Sequence, residues 1–247
     1  MSTRARTNCS EKLRYLQGKL NGMVDIRPNE TRGFAVVDVE TTGLNPMKDR
    51  IVEVGVVLVD TDGHVTGDFS SLVNPQMPMR ATFVHGIRDE DVRCAPVMAD
   101  IVPDLMSFFE GRAIVAHNAR FDMGFLNMAF ANAGYSVKIP AAATVCTMEL
   151  SKIYLPPGRH SLVATAGRAG IEVTNHHRAL ADAYTAAGLL REYIEREKRG
   201  ERYLDCVISR AGDNVLPASW ELSLNESIRI QWPSKPSPQD GAQGTLF

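Results

Sequence analysis

No apolar stretch in the chain approaches the roughly 18 uninterrupted residues that a membrane helix needs. Met1 to Glu11 is polar and lacks the apolar segment of a signal peptide. Together these absences imply a cytoplasmic location and no membrane partner. Cysteine is scarce: Cys9, Cys94, Cys146 and Cys206 are scattered at no spacing that suits zinc or a disulfide framework, and they read as reduced thiols, some of them buried. Charge of one sign is missing as well, because 27 Lys and Arg face 29 Asp and Glu for a net charge of −2. That balance argues against avid coating of a nucleic-acid duplex but leaves action at a strand end open. There is no internal repeat. What remains, 44% hydrophobic and 23% charged over 247 residues, is an ordinary soluble globular chain of one or two domains.

Leu13, Leu16, Leu20 and Met23 recur at helix spacing, which predicts a short amphipathic helix over 10–23. Asp25 to Thr31 reads as a linker, so residues 1–31 form an N-terminal helix and linker and the main domain spans 32–198. Phe34 to Val39, Ile51 to Val59 and Val65 to Val73 read as strands, the last two joined at an Asp62-Gly63 hairpin signal. Helices are expected over 96–109, with Pro103 a break or kink, and over 119–133, 147–154, 161–169 and 179–196, with one more strand at 112–116. The fold class is therefore α/β: a mixed sheet with three antiparallel strands and flanking helices. Residues 199–232, with weak alternation at Trp220, Leu222 and Leu224, are left unassigned, either packed on the domain or a small appendage. Residues 233–247 begin with a Pro/Ser/Gly-rich linker composition and read as a flexible tail.

Three clusters carry chemistry. Asp38 and Glu40 end the first strand, where residues two apart share a face, and two neighbouring carboxylates in an apolar sheet call for a hard cation unless both sit in water at the strand end. His117-Asn118-Ala119-Arg120-Phe121-Asp122 spans a strand end and a helix start, where Asn118 can cap the helix and Asp122 suits its dipole without any catalysis. In His177-Arg178-Ala179-Leu180-Ala181-Asp182 the two outer residues are five apart, rotated by about 140°, and cannot share a helix face. For both to serve one site, His177 must lie on the loop before the helix; its neighbour His176 is read as ordinary.

The order Asp-x-Glu-Thr-Thr-Gly, His-Asn-x-x-Phe-Asp and His-x-x-x-x-Asp, with Val84-His85-Gly86-Ile87 between the first two, resembles the DEDDh 3′-5′ exonucleases. That group includes the epsilon proofreading subunit of bacterial replicative DNA polymerase. The resemblance covers about 33–196 and implies a ribonuclease H-like exonuclease fold. It further implies that Asp38, Glu40, Asp122 and Asp182 hold two divalent ions, Mg2+ or Mn2+, that His177 is the general base, and that nucleoside 5′-monophosphates leave one at a time from a 3′ end. All-oxygen ligands agree with that choice of metal. Thr41, Thr42, Gly43 and Leu44 fall in the turn that the family sets against the terminal nucleotide, with Leu44 a wedge under the last base; simple turn chemistry explains each one equally well. His85 resembles the family histidine near that nucleotide. Cys146-Thr147 stands where many relatives have Asp-Thr. The expected substrate is a single-stranded or frayed DNA 3′ end, in proofreading or repair; an RNA 3′ exonuclease and a catalytically silent module of a polymerase assembly are the alternatives. Gln243, Leu246 and Phe247, in the final Gln-Gly-Thr-Leu-Phe, resemble the peptide by which bacterial polymerases and repair factors bind the sliding clamp, so a clamp and a DNA polymerase subunit are the expected partners.

Overall fold

A computed structural model describes residues 31–174 and 176–233. The helix expected over 10–23 and the tail residues Gln243, Leu246 and Phe247 lie outside the described residues. Strands β1 (Phe34–Thr41), β2 (Ile51–Val59) and β3 (Val65–Leu72) form an antiparallel meander, as their valine-rich runs predict. The turn between β2 and β3 is held by Asp60, whose carboxylate accepts the N–H groups of Asp62 and His64 at 3.0 and 2.8 Å. Strand β4 (Ala113–Ala116) adds parallel to β1, and β5 (Thr144–Cys146) adds parallel to β4, giving the order β3-β2-β1-β4-β5. The fifth strand corrects the sequence reading, which had one strand after the meander; three residues are too few to show a period.

The period-two alternation of β1 divides the core. Ala35, Val37 and Val39 face helices α3 (Met98–Phe109) and α4 (Ala119–Asn132), packing with Leu105, Phe109, Phe125 and Phe130. Phe34 and Val36 face α5 (Thr147–Tyr154), α6 (Leu162–Ala169) and α7 (Ala179–Lys198), packing with Leu150, Tyr154, Leu190 and Tyr193. Ala179, Ala183, Ala187, Leu190 and Ile194 form a buried stripe along α7. Helix α3 runs through Pro103 without a break, because buried Ile101, Val102, Leu105 and Phe109 hold both sides of it on the sheet. Two one-turn helices that the sequence does not announce, α1 (Thr82–His85) and α2 (Asp89–Val92), cross between β3 and α3.

The segment after α7 packs on the domain. It forms a two-stranded ribbon, β6 (Val207–Ile208) and β7 (Asn214–Val215), and a helix, α8 (Trp220–Ser227). Trp220 is buried against Tyr154, ring centroids 5.7 Å apart, while Trp232 packs against Phe109 and Phe130 on the opposite core, 6.1 Å from each. Ser223 Oγ donates to the Thr144 carbonyl at 3.3 Å, so α8 covers the edge strand β5. Cys94 and Cys206 are exposed, Cys146 is half-buried against the core, and all three are free thiols; Cys9 lies outside the described residues. Among the described residues no helix is long and apolar enough to cross a membrane.

Candidate active site

Asp38 and Glu40 share a face of β1 with Phe34 and Val36, which is the face that receives α7. Asp38 lies opposite Gly55 in the register with β2, and Glu40 lies opposite Glu53. A side chain at Gly55 would collide with the backbone of Ala179 and Leu180, so its absence is what lets the first turn of α7 rest directly on β2. Glu53 completes the docking. Its buried carboxylate accepts Arg178 Nη2 at 2.6 Å, Arg178 Nε at 3.1 Å and the Ala179 N–H at 3.0 Å, capping the positive end of α7.

Asp182, one turn into α7, is thereby carried to the end of β1. The carboxylate oxygens offered by Asp38, Glu40 and Asp182 lie within 4.8 Å of one another. Asp122, buried on the first turn of α4, lies near enough for its charge to act on Asp38 but is not among the acids that meet within 4.8 Å. Asn118 occupies the N-cap of α4 but makes no side-chain cap bond there, a difference from expectation that follows from its left-handed backbone at φ 74°.

Crowding and burial shift these acids. Asp38 is pushed well above the usual carboxylate range by burial, then by the charges of Asp122, Asp182, Glu40 and Glu53. Glu40 is pushed up to about 7 by burial, then by Asp182 and Glu53, against the pull of Arg178. Burial raises Asp122 as well, against hydrogen bonding from the backbone. The nearby cation Arg178 is already engaged by Glu53. A cluster of all-oxygen donors, buried at Glu40, Asp122 and Asp182 and half-buried at Asp38, and short of positive charge, is what a hard divalent cation fits, and these four are the residues that would hold it.

A pH dependence follows. A carboxyl raised in the folded state binds more protons folded than unfolded, so its contribution is fully present below the unfolded value and is lost as pH rises through the folded one. For Glu40 that window runs from 4.5 to about 7. In chelator-treated protein, the melting temperature of wild type relative to Glu40→Gln is expected to fall across this window, and Mg2+ is expected to restore it at the upper end. A difference that stays flat with pH would remove the strain assigned to this acid.

His177 lies on the loop before α7, as the rotation argument requires. Its backbone is left-handed, φ 69°, and its N–H donates to Asp182 Oδ2 at 3.1 Å. His176, read as ordinary from the sequence, points at the same carboxylate, with Nδ1 2.9 Å from both Asp182 oxygens. The turn after β1 uses its polar groups internally: Thr41 Oγ1 donates to the Gly43 carbonyl at 2.6 Å, and Thr42 Oγ1 accepts the Arg50 N–H at 3.0 Å. Leu44 is instead presented to solvent, 84% exposed. His85 is 7% exposed; its Nδ1 accepts the Ile87 N–H at 3.1 Å, while Nε2 has no hydrogen-bond partner among the described residues. Burial holds its pKa below the usual histidine value, against the Thr41 backbone and Glu53.

Residues 35–190 match the family model described as Exonuclease (RNase_T). The chain belongs to the Exonuclease family. Among curated relatives, this exonuclease is 37% identical over 177 residues to the PolC-type DNA polymerase III of Oceanobacillus iheyensis, and 34% identical over 180 residues to that of Bacillus subtilis. These alignments cover 70% and 71% of this chain but 12% of each relative, so the chain spans about an eighth of the polymerases it matches. Among solved structures, exonuclease X in complex with 5′ overhanging duplex DNA is 31% identical, with a TM-score of 0.54 over 68% of this chain and 93% of that one. E. coli exonuclease I in complex with a dT13 oligonucleotide is 21% identical, with a TM-score of 0.60 over 67% and 42% of the two chains, a likeness of fold.

In this exonuclease the motif histidine His117 is structural. Its Nδ1 meets Thr147 Oγ1 and its Nε2 the His160 carbonyl, each at 2.9 Å, tying the end of β4 to α5 and to the loop before α6. Burial pushes its pKa down to about 4, so the ring is neutral near pH 7. The sequence reading missed Glu53 and Gly55. Their signal was present: one charged residue and one glycine interrupt the otherwise apolar Ile51–Val59.

Proposed function

We propose that this exonuclease is metal-dependent and removes nucleoside 5′-monophosphates from the 3′ ends of DNA, in proofreading or repair. The observation that carries the reading is the convergence of the Asp38, Glu40 and Asp182 carboxylates at the end of β1, with His177 on the adjoining loop. The polymerase relatives and the DNA-bound forms of exonucleases I and X support DNA as substrate. Two divalent ions, when bound, supply charge that stabilises the attacking and leaving oxygens of an in-line displacement at phosphorus.

The protein supplies the rest. A groove of about 850 Å³, lined by Phe83, Val84, His85, His177, Leu180 and Tyr184, adjoins the acids through His176 and His177 and accepts the terminal nucleotide. Leu44 offers an apolar side chain to the last base, and His85 is part of the groove wall. His177 accepts the proton of the attacking water; the new bond forms between water oxygen and phosphorus, and the bond from phosphorus to the 3′ oxygen breaks. The mononucleotide leaves with a 5′-phosphate, and the shortened strand keeps a 3′-hydroxyl. The tail residues Gln243, Leu246 and Phe247 support, on sequence alone, tethering to a sliding clamp and with it a polymerase context.

The test is degradation of matched 5′-labelled DNA and RNA oligonucleotides with Mg2+ and with Mn2+. A ladder shortening from the 3′ end of DNA, with free 5′-monophosphates, is expected. Faster loss of RNA, or loss from the 5′ end, overturns the reading. Deleting Leu246 and Phe247 is expected to leave this activity on short strands intact while removing clamp binding in a calorimetric titration.

A further inference from the structure

Asp182 belongs to two donor sets at once. Toward β1 it faces the carboxylates of Asp38 and Glu40; toward the loop it faces the imidazoles of His176 and His177, and in each set the ligand atoms lie within 4.8 Å of one another. Consecutive side chains of an extended segment point to opposite sides. The left-handed backbone of His177 breaks that alternation, and the two rings stack, centroids 3.8 Å apart and planes 29° from parallel, on the side of Asp182. Both histidines are exposed, whereas Asp182 is buried and fixed by the His177 N–H.

We propose that His176, His177 and Asp182 form a second, nitrogen-rich cation site, selective for Zn2+ and similar transition-metal ions, whose occupation switches the nuclease off. Imidazole suits Zn2+, whereas all-oxygen sets suit Mg2+ and Mn2+, so the two faces of Asp182 select different ions. Tetrahedral zinc with bonds near 2.1 Å sets its donors about 3.4 Å apart. Both rings are exposed, so the closing of the present spacing falls to their side chains. The groove side stays open for a fourth ligand, water or a terminal phosphate oxygen. Zinc held here takes the His177 ring out of proton transfer and engages the Asp182 carboxylate that the ion beside Asp38 and Glu40 would otherwise share. The binding claim stands on geometry alone; the inhibition claim rests on the proposed nuclease function.

Full-length protein in millimolar Mg2+ is titrated with Co2+, a coloured stand-in for Zn2+, and its visible absorption is followed. A saturable band is expected in wild type and in Asp38→Ala, and is expected to be lost in His176→Ala and in His176→Asn. The Asn variant keeps a side chain able to hydrogen-bond Asp182 but not a good zinc ligand, which separates ligation from positioning. In the nuclease assay, Zn2+ is expected to inhibit wild type at a concentration at least about tenfold below that needed for either His176 variant. Equal inhibition in wild type and variants, or a band lost in Asp38→Ala and kept in the His176 variants, places the zinc on the acids and overturns the proposal. The expected cobalt band in a protein without nuclease activity would instead remove the functional reading and leave the site standing.

Discussion

Asp38→Asn is expected to abolish nuclease activity, by about 10³-fold or more, some 4 kcal/mol of transition-state stabilisation, in a protein that melts higher than wild type when divalent ions are removed. The two effects have one cause. Asp38 sits among the charges of Asp122, Asp182, Glu40 and Glu53, and burial raises it further, so the ionised side chain is unfavourable until a cation arrives. A neutral amide of the same shape relieves that repulsion and loses the ligand. The measurements are the release of label from a 3′-labelled oligonucleotide and thermal melting in chelator, side by side. Activity within a few-fold of wild type would end the metal assignment, and a lower metal-free melting point would show that Asp38 serves the core. Asp182 is a less clean probe, because its carboxylate also accepts the His177 N–H, and removing it loosens the loop.

The second large effect concerns the paired histidines. His177→Ala is expected to lower turnover by about 10² to 10⁴-fold and to flatten the acid side of the pH-rate profile, because a base works only while neutral and the variant has no such group to protonate. His176→Ala is expected to cost far less. The structure sharpens this contrast, since it is His176 whose Nδ1 hydrogen-bonds Asp182, while the His177 ring, stacked on His176, makes no such bond. Single-turnover rates against pH for both variants decide it; exchanged effects would make His176 the base.

The elements that carry the acids were legible because their signals are local. β-branched runs mark β1 and β2, and alternation alone puts Asp38 and Glu40 on one face. The rotation between His177 and Asp182 was enough to move the histidine off the helix. What stayed hidden depends on contacts distant in the chain. β5 has three residues and exists because β4 offers it an edge, and α8 is helical where Trp220 finds Tyr154. Glu53 looks like a flaw in a buried strand until Arg178, 125 residues later, arrives beside it. His117 lies inside a motif and so invites a catalytic reading, but both of its ring nitrogens are spoken for by groups that only the fold brings near.

Gly55 makes the activity conditional on correct strand pairing. A slip of β2 by one residue would turn its side chains over and set Val54 or Val56 where the helix backbone must rest, and either would hold the helix carrying Asp182 off the sheet. The carboxylates then cannot meet. A chain still searching for its alignment therefore cannot cut, and a potentially destructive hydrolase stays harmless until its own sheet has passed inspection.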